Sequence, residues 1–174
     1  MIKIISGIYK NRKLKYFNLK NIRPTQSRVR KSIMESLYPI KDKEVLDLFS
    51  GIGTLGIESL SRGASSVVFV DNNKEVLKVL KKNLDLLSIK ENYKVIKSNV
   101  FKFLKYSEDK FDIIFADPPY EKYDFFDFLP LVEKMLNPNG VFCYESKKTK
   151  FDFELNAKVK YFGNTQLIFW RKQL

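Results

Sequence analysis

Histidine is absent from the 174-residue chain, and cysteine occurs once, at Cys143. A single thiol cannot form a disulfide bond within the chain, and these two counts leave too few ligands for a Cys₂His₂ or Cys₄ zinc site. Ser-His-Asp and Cys-His nucleophilic catalysis are excluded for the same reason. We therefore expect no metal centre, a Cys143 that is a small buried hydrophobic residue, and any catalysis to proceed without an imidazole group.

Long hydrophobic runs are also missing. No apolar stretch approaches the ~18–20 residues that a membrane-spanning helix needs. The opening residues Met1–Gly7 become polar too soon to be a signal peptide. We expect a cytoplasmic, monomeric protein that has no membrane partner.

Positive charge is concentrated near the N-terminus. The net charge is +12, and residues 1–41 contain 11 Lys or Arg and one acid, Glu35. Arginine suits phosphate because its planar fork donates two parallel hydrogen bonds, and four of the six arginines lie at Arg12, Arg23, Arg28 and Arg30. An ordinary solvated lysine-rich face is the alternative. The pattern favours a basic, nucleic-acid-binding extension over residues 1–41, followed by a domain over residues 42–174.

Apolar strands alternate with amphipathic helices after this extension. Such alternation predicts an α/β fold with a mostly parallel sheet covered by helices on both faces. Residues 1–6 and 12–17 predict a small hairpin, and Thr25 or Ser27 is placed to cap a helix over 27–38. The predicted sheet strands cover residues 45–49, 67–70, 93–97, 111–116 and 141–145. Residues 137–140 are a predicted turn, and residues 158–162 and 165–171 predict a closing hairpin.

A glycine-rich loop follows the first of these apolar strands. Gly51, Gly53 and Gly56 form G-x-G-x-x-G between a strand and a helix, a pattern that lets a nucleotide approach the backbone closely. Asp71 ends the next strand, where a carboxylate can bind the two ribose hydroxyls. Asp47 would repel the pyrophosphate of a dinucleotide but would suit a ligand with a positive amine. The loop therefore favours S-adenosylmethionine over NAD.

The second motif is Asp117-Pro118-Pro119-Tyr120, which follows another apolar strand. Prolines supply no backbone N–H, so the carbonyl groups here need outside partners. The Asp117 carboxylate and the Pro118 carbonyl can accept both hydrogens of an exocyclic amine and so direct its lone pair at a methyl donor. Tyr120 offers a face on which a planar base can stack.

Together the two motifs resemble class I S-adenosylmethionine-dependent amino-methyltransferases. With Arg23-Pro-Thr-Gln-Ser-Arg-Val-Arg30, the stretch from Asp47 to Gly63, and Ser98-Asn99, the chain resembles the bacterial 16S rRNA guanine-N2 methyltransferase family, type D. The resemblance implies a Rossmann-like, seven-stranded sheet with an antiparallel last strand. It also implies methylation of guanine N2 in 16S rRNA or an assembling 30S subunit, with S-adenosylhomocysteine as the product.

Residue roles are carried over from the resemblance by position. Asp47 and the Gly51–Gly53 loop would hold the methionine part of the cofactor and Asp71 the ribose, while Asn99 would meet the adenine. Ser50 and Asn72 complete the expected cofactor set. Asp117, Pro118 and Tyr120 would handle the target guanine, and Glu145 is either structural or part of the pocket. The expected RNA-binding residues are Arg12, Arg23, Thr25, Arg28 and Arg30.

Three alternatives stay open from the sequence. The same clamp would serve adenine N6 or a protein glutamine amide. The chain could also bind RNA and a nucleotide without turnover, although Asp117 and Tyr120 argue against that. An NAD-dependent oxidoreductase is disfavoured by Asp47.

Overall fold

The computed structural model describes residues 2–16, 25–119, 123–149 and 157–173. Two short strands, β1 (Ile2–Lys3) and β2 (Lys13–Leu14), precede helix α1 (Ser27–Ser36). The remaining elements are β3 (Glu44–Leu48), α2 (Thr54–Ser61), β4 (Ser66–Asp71), α3 (Lys74–Leu86), β5 (Tyr93–Lys97), α4 (Val100–Tyr106), β6 (Phe111–Ala116), α5 (Phe125–Met135), β7 (Leu136–Lys147), β8 (Ala157–Phe162) and β9 (Thr165–Arg171).

Seven strands form one sheet in the order β5-β4-β3-β6-β7-β9-β8. Strands β5, β4, β3, β6 and β7 run parallel, whereas β9 is antiparallel to both β7 and β8. The predicted fold class is therefore confirmed, including the antiparallel last strand. The chain progresses in opposite directions on the two sides of the β3–β6 pair, and open α/β sheets bind ligands at such a switch point.

Helices cover both faces of the sheet. One face buries Val45, Val67 and Phe69 under α1, α2 and α3, and the other buries Leu46 and Phe142 under α4 and α5. Within the described residues no helix is both long enough and apolar enough to cross a lipid bilayer.

Two predicted boundaries differ from the structure. Residues 137–140, predicted as a turn, belong to the start of β7, where pairing with β6 shifts register between Phe111 and Ile113. The N-terminal hairpin has only two paired residues in each strand. It is shorter than predicted because the amides of Ile5 and Ser6 donate to Glu58 instead of to a partner strand.

Glu58 and Ser61 of α2 fasten the N-terminal hairpin to the domain. The Glu58 side chain accepts the N–H groups of Ile5 and Ser6 at 2.9 and 3.0 Å, and the Ser61 hydroxyl donates to the Ser6 carbonyl at 2.6 Å. Gly7 has φ +85°, and a Cβ there would lie 1.7 Å from the Ser61 carbonyl oxygen. Only glycine permits this close approach.

Arg30 joins α1 to the same hairpin. Its side chain is 1% exposed, and Nη2 donates to the Lys3 carbonyl at 2.8 Å. Burial lowers the pKa of Arg30, and the charge of Glu58 raises it. This placement contradicts the prediction that Arg30 contacts RNA, because a guanidinium inside the fold cannot reach a phosphate. Counting charges along a sequence cannot separate a buried arginine from an exposed one.

Asn83 of α3 makes a third link, between the hairpin and the glycine loop. Its side chain is fully buried; Oδ1 accepts the Lys15 N–H at 2.7 Å, and Nδ2 donates to the carbonyls of Lys15 at 3.2 Å and Ile52 at 3.3 Å. One amide group thus satisfies three backbone groups of two segments.

We expect Asn83→Ala to destabilise the protein by about 2 kcal/mol, because backbone groups are left buried without partners. Urea unfolding followed by circular dichroism measures the loss. Lys81→Ala, an exposed change on the same helix, is the matched control and should alter stability by less than about 0.5 kcal/mol. Equal effects of the two variants would show that the Asn83 bonds contribute nothing.

Candidate functional site

A cavity of about 420 Å³ opens at the carboxyl edge of the sheet, where β3, β4 and β6 end. This is the switch point of the strand order, as expected for a ligand site in an open sheet. Its lining comes from the loops after these strands, the starts of α1, α2 and α3, the end of β7 and the start of β9: Thr25, Gln26, Val29, Asp47, Phe49, Ser50, Gly51, Ile52, Thr54, Leu55, Asp71, Asn72, Asn73, Val76, Asp117, Pro118, Pro119, Glu145 and Thr165.

The glycine loop forms one wall of the cavity. Gly51 has φ +53°, and its N–H donates to Asp71 Oδ2 at 2.9 Å. Ser50 and Gly51 line the cavity, and the buried Ser50 Oγ has no hydrogen-bond partner among the described residues. A ligand hydroxyl or amine is a suitable partner for that oxygen.

Gly53 is required for the backbone conformation of the glycine loop and is not part of the cavity lining. A Cβ at this position would lie 2.2 Å from Leu80 Cδ1, and φ is +84°. Glycine here lets the loop approach α3 and turn into α2. Its predicted contact with the cofactor stays a prediction.

Asp47 lies in β3, one residue before its end, and is 2% exposed. Its Oδ2 accepts the Gly56 N–H at 2.9 Å, which pins the start of α2 to the strand. Burial raises the pKa of Asp47 well above its usual range, while the Gly56 bond opposes the rise. The charges of Asp117 and Asp71 raise it further.

Asp71 is the last residue of β4, and its Oδ2 accepts the Gly51 N–H of the glycine loop. Its Oδ1 accepts the Asn73 N–H at 2.8 Å, and the Asn73 side chain caps α3. Each Asp71 oxygen keeps a free lone-pair direction, so the carboxylate can still accept ribose hydroxyls. Asn72 lies next to it on the cavity wall.

Asn99 is placed differently from the other predicted cofactor residues. It is exposed, is not part of the cavity lining, and its Oδ1 accepts the Lys102 N–H at 3.1 Å as the cap of α4. The side chain is thus used to begin a helix, and its contact with adenine stays a prediction.

Asp117 follows the last residue of β6 and faces the cavity opposite Asp71. Its Oδ2 accepts the Thr25 hydroxyl at 3.2 Å. Burial raises the pKa of Asp117 to about 7, and the Thr25 hydrogen bond acts in the opposite direction. Pro118 lies next to Asp117 on the wall, whereas Tyr120 is outside the described residues.

The wall carries four carboxylates, Asp47, Asp71, Asp117 and Glu145, and no Lys or Arg among its described residues. A cavity wall lined by carboxylates favours a cationic ligand and disfavours phosphate. Within the described ranges, no cluster of three or more Cys, Asp or Glu side chains is arranged to hold a metal ion.

Glu145, whose position the sequence left open, is 6% exposed and belongs to this wall. Cys143 is buried, as predicted, and burial together with the charges of Glu145 and Asp117 raises the pKa of its thiol. A thiol held neutral in this way is not a nucleophile. Gln26, Val29 and Thr165 also line the cavity. Gln26 and Val29 lie within the Arg23–Arg30 stretch, but none of the three was predicted to contact a ligand.

The predicted RNA-binding residues separate into four groups. Arg12 and Arg28 are exposed; Arg12 Nη2 donates to the Leu86 carbonyl at 3.0 Å, and Arg28 lies beside Gly163. Thr25 is turned into the cavity, where it contacts Asp117. Arg30 is buried, as described above, and Arg23 lies outside the described residues.

A smaller cavity of about 140 Å³ adjoins the first on the far side of the two prolines. Pro118, Pro119 and Glu145 are shared by both cavities, and Tyr123, Phe125 and Tyr144 add an aromatic wall. The Tyr144 hydroxyl donates to the Tyr123 carbonyl at 2.9 Å, which holds this wall in place.

Known proteins resemble the whole chain. The family model described as Conserved hypothetical protein 95 matches residues 2–171. Ribosomal RNA small subunit methyltransferase D of Haemophilus influenzae is 37% identical over 155 residues, which cover 86% of this chain and 80% of that protein. YlbH of Bacillus subtilis, provisionally named an rRNA methyltransferase, is 32% identical over 99% of this chain and 100% of its own length.

The solved structure of yhhF from Escherichia coli, provisionally named a methyltransferase, superimposes with a TM-score of 0.86 at 30% identity. It covers 99% of this chain and 98% of its own. The resemblance inferred from the motifs is thereby confirmed. The chain belongs to the Conserved hypothetical protein 95 family, within the class I methyltransferase fold.

Proposed function

We propose that the protein transfers a methyl group from S-adenosylmethionine to the exocyclic N2 amine of a guanine in 16S rRNA. The observation that carries this proposal is the position of Asp117 and Pro118 beside a carboxylate-lined cavity at the switch point of the sheet. Relatives named small-subunit rRNA methyltransferases favour rRNA as the substrate.

The cavity fits the cofactor in charge and in donor set. When bound, S-adenosylmethionine supplies an electrophilic methyl group and carries a sulfonium and an ammonium charge. Asp47 and Glu145 offer negative charge to that end, and the unpartnered Ser50 Oγ offers a polar contact. Asp71, between the glycine loop and Asn73, is placed to accept the ribose hydroxyls. NAD would bring a pyrophosphate against the same carboxylates.

Asp117 and Pro118 act on the target amine. Asp117 Oδ2 already accepts the Thr25 hydroxyl, so we assign Oδ1 to accept one N–H of the amine and the Pro118 carbonyl to accept the other. Orientation of this kind aligns a weakly nucleophilic nitrogen for displacement and is the main source of rate acceleration here. We include in this proposal that the Tyr120 ring stacks on the target guanine.

The exposed cations of the extension would hold the RNA phosphates. Arg12 and Arg28 are exposed, and Arg23 extends the same basic stretch of sequence. Contacts of this type position the nucleic acid without reading its sequence.

Methyl transfer can be tested on small-subunit particles from a strain that lacks this enzyme. We expect the wild-type protein to transfer a labelled methyl group from S-adenosylmethionine into 16S rRNA and to yield N2-methylguanosine after nucleoside digestion. Recovery of N6-methyladenosine, or label in protein alone, would contradict the proposed substrate.

Asp117→Ala should reduce this transfer by about 100-fold or more, because the amine loses a charged acceptor. Affinity for S-adenosylhomocysteine, measured by calorimetry, should change by less than about 3-fold. Asp85→Ala, an exposed change on α3, should leave both quantities unaltered. A large loss of cofactor affinity in Asp117→Ala would remove Asp117 from the role assigned to it.

The pH dependence follows from the raised pKa of Asp117, which is about 7. The amine requires the ionised carboxylate, so kcat/KM should rise about tenfold per pH unit below that value and level off above it. A pH–rate profile from about pH 5.5 to 9 measures this. A rate that falls as the pH rises through 7 would mean that the protonated acid is the active form.

A further inference from the structure

Thr25 precedes α1 but does not cap it. The N-cap residue of α1 is Gln26, and no side chain caps the helix. The Thr25 hydroxyl is instead directed at Asp117 Oδ2, 92 residues away in sequence. The prediction that Thr25 or Ser27 caps this helix is therefore wrong, and the Thr25 hydroxyl faces the cavity.

The surroundings of Thr25 hold it firmly. The residue is 9% exposed, and Val29 and Ile33 bury α1 against the sheet. The same helix is fastened by the buried Arg30 and by Lys160 Nζ, which donates to the Ser36 hydroxyl at 2.8 Å. Thr25 itself lies two residues before the first residue of this fastened helix.

We propose that Thr25 is a positioning residue for Asp117, holding Oδ2 so that Oδ1 faces the target amine. This inference rests on the proposed function of the cavity. It assigns Thr25 of the basic extension to the support of Asp117 rather than to RNA contact.

Electrostatics supports the assignment. The described charged groups around Asp117 are Asp47 on β3, Asp71 on β4 and Glu145 on β7, all of one sign. The Thr25 hydroxyl donates to the charged form of Asp117 and lowers its pKa against the effect of burial. Removing the hydroxyl should therefore raise that pKa and leave less of the active carboxylate at neutral pH.

Thr25→Val removes the hydroxyl at nearly constant volume, and Thr25→Ser retains it. We expect the midpoint of the kcat/KM profile to move upward by about one pH unit in Thr25→Val, with activity at pH 7 reduced severalfold. Thr25→Ser should restore the wild-type midpoint. Affinities for S-adenosylhomocysteine and for RNA should stay within about twofold in both variants.

An unchanged midpoint in Thr25→Val would overturn the positioning role, and a loss of RNA affinity would return Thr25 to the RNA-binding residues. Carbon-13 NMR titration of the Asp117 carboxyl, assigned by its absence in Asp117→Asn, gives the same midpoint without turnover. An inactive wild-type protein would refute the proposed function, while the titration would still decide the Thr25 contact.

A separate observation concerns the outer edge of the sheet. Lys158 and Lys160 of β8 lie on the face that contacts α1, where Lys160 reaches Ser32 and Ser36. Arg28 and Lys31 lie on α1, and the Arg28 guanidinium is beside Gly163 in the β8–β9 turn. We call these four cations the α1–β8 ridge.

The ridge borders the cavity, because Gln26 and Val29 of α1 and Thr165 of β9 line it. Among the described residues, Glu35 forms an ion pair with the ridge, at 3.8 Å from Lys31, and residues 157–173 contain no acid. We infer that the ridge is a phosphate-binding surface for the RNA whose base enters the cavity. It extends the proposed RNA contacts from the N-terminal extension to the C-terminal hairpin.

Lysines on an edge strand also prevent sheets from pairing with one another. The opposite edge strand, β5, carries the exposed Lys94 and Lys97 and provides a matched control. Edge protection alone predicts equal effects on RNA binding when either pair is changed. A binding surface predicts an effect at β8 only.

RNA affinity should be measured across a salt series with a 16S rRNA fragment for the wild type, Lys158→Gln/Lys160→Gln and Lys94→Gln/Lys97→Gln. We expect the β8 variant to lower the slope of log affinity against log salt by about 1–2 and the β5 variant to leave it unchanged. Equal slopes for the two variants would overturn the inference. A wild-type protein with no salt dependence would refute the proposed RNA substrate itself.

Discussion

Four carboxylates share a cavity that has no described cation, and the rest of the site depends on that electrostatic imbalance. Parallel strands end at one edge of the sheet, so Asp47, Asp71 and Asp117 meet there although each follows a different apolar run. Burial raises the pKa values of Asp47 and Asp117, and the charges of Asp117 and Asp71 raise the pKa of Asp47 further. A positively charged ligand relieves this cost, which is the physical reason for assigning the cavity to a sulfonium cofactor.

The N-terminal extension, residues 1–41, is connected to this cavity. Glu58 and Asn83 bind its backbone to α2 and α3, and Asn83 also holds the Ile52 carbonyl of the glycine loop. The extension then returns to the cavity through Thr25, which contacts Asp117. The exposed cations of this segment, which we propose to contact RNA, are therefore connected through buried polar contacts to both the glycine loop and the Asp117-Pro118 loop.

The sequence could predict the sheet and the three aspartates at its edge, because apolar runs and glycine turns are local signals. It could not predict the partners of Arg30, since burial beside Lys3 and Glu58 depends on where a distant hairpin packs. The same holds for Thr25, whose hydroxyl could cap a helix or reach across the fold. Asn99 shows the reverse case, in which a family position is used locally to cap α4.

The protein as a whole and the wall of its main cavity carry charge of opposite sign. The protein carries a net charge of +12, yet the described wall of its main cavity is acidic. A polyanion is attracted to the outside, but its phosphates are repelled by the carboxylates, so only an uncharged base can approach Asp117 closely. The same wall attracts a cationic cofactor. Opposite charges on the surface and in the cavity thus let one small domain admit two ligands of opposite sign without competition, which is the arrangement that transfer between a sulfonium and an RNA base requires.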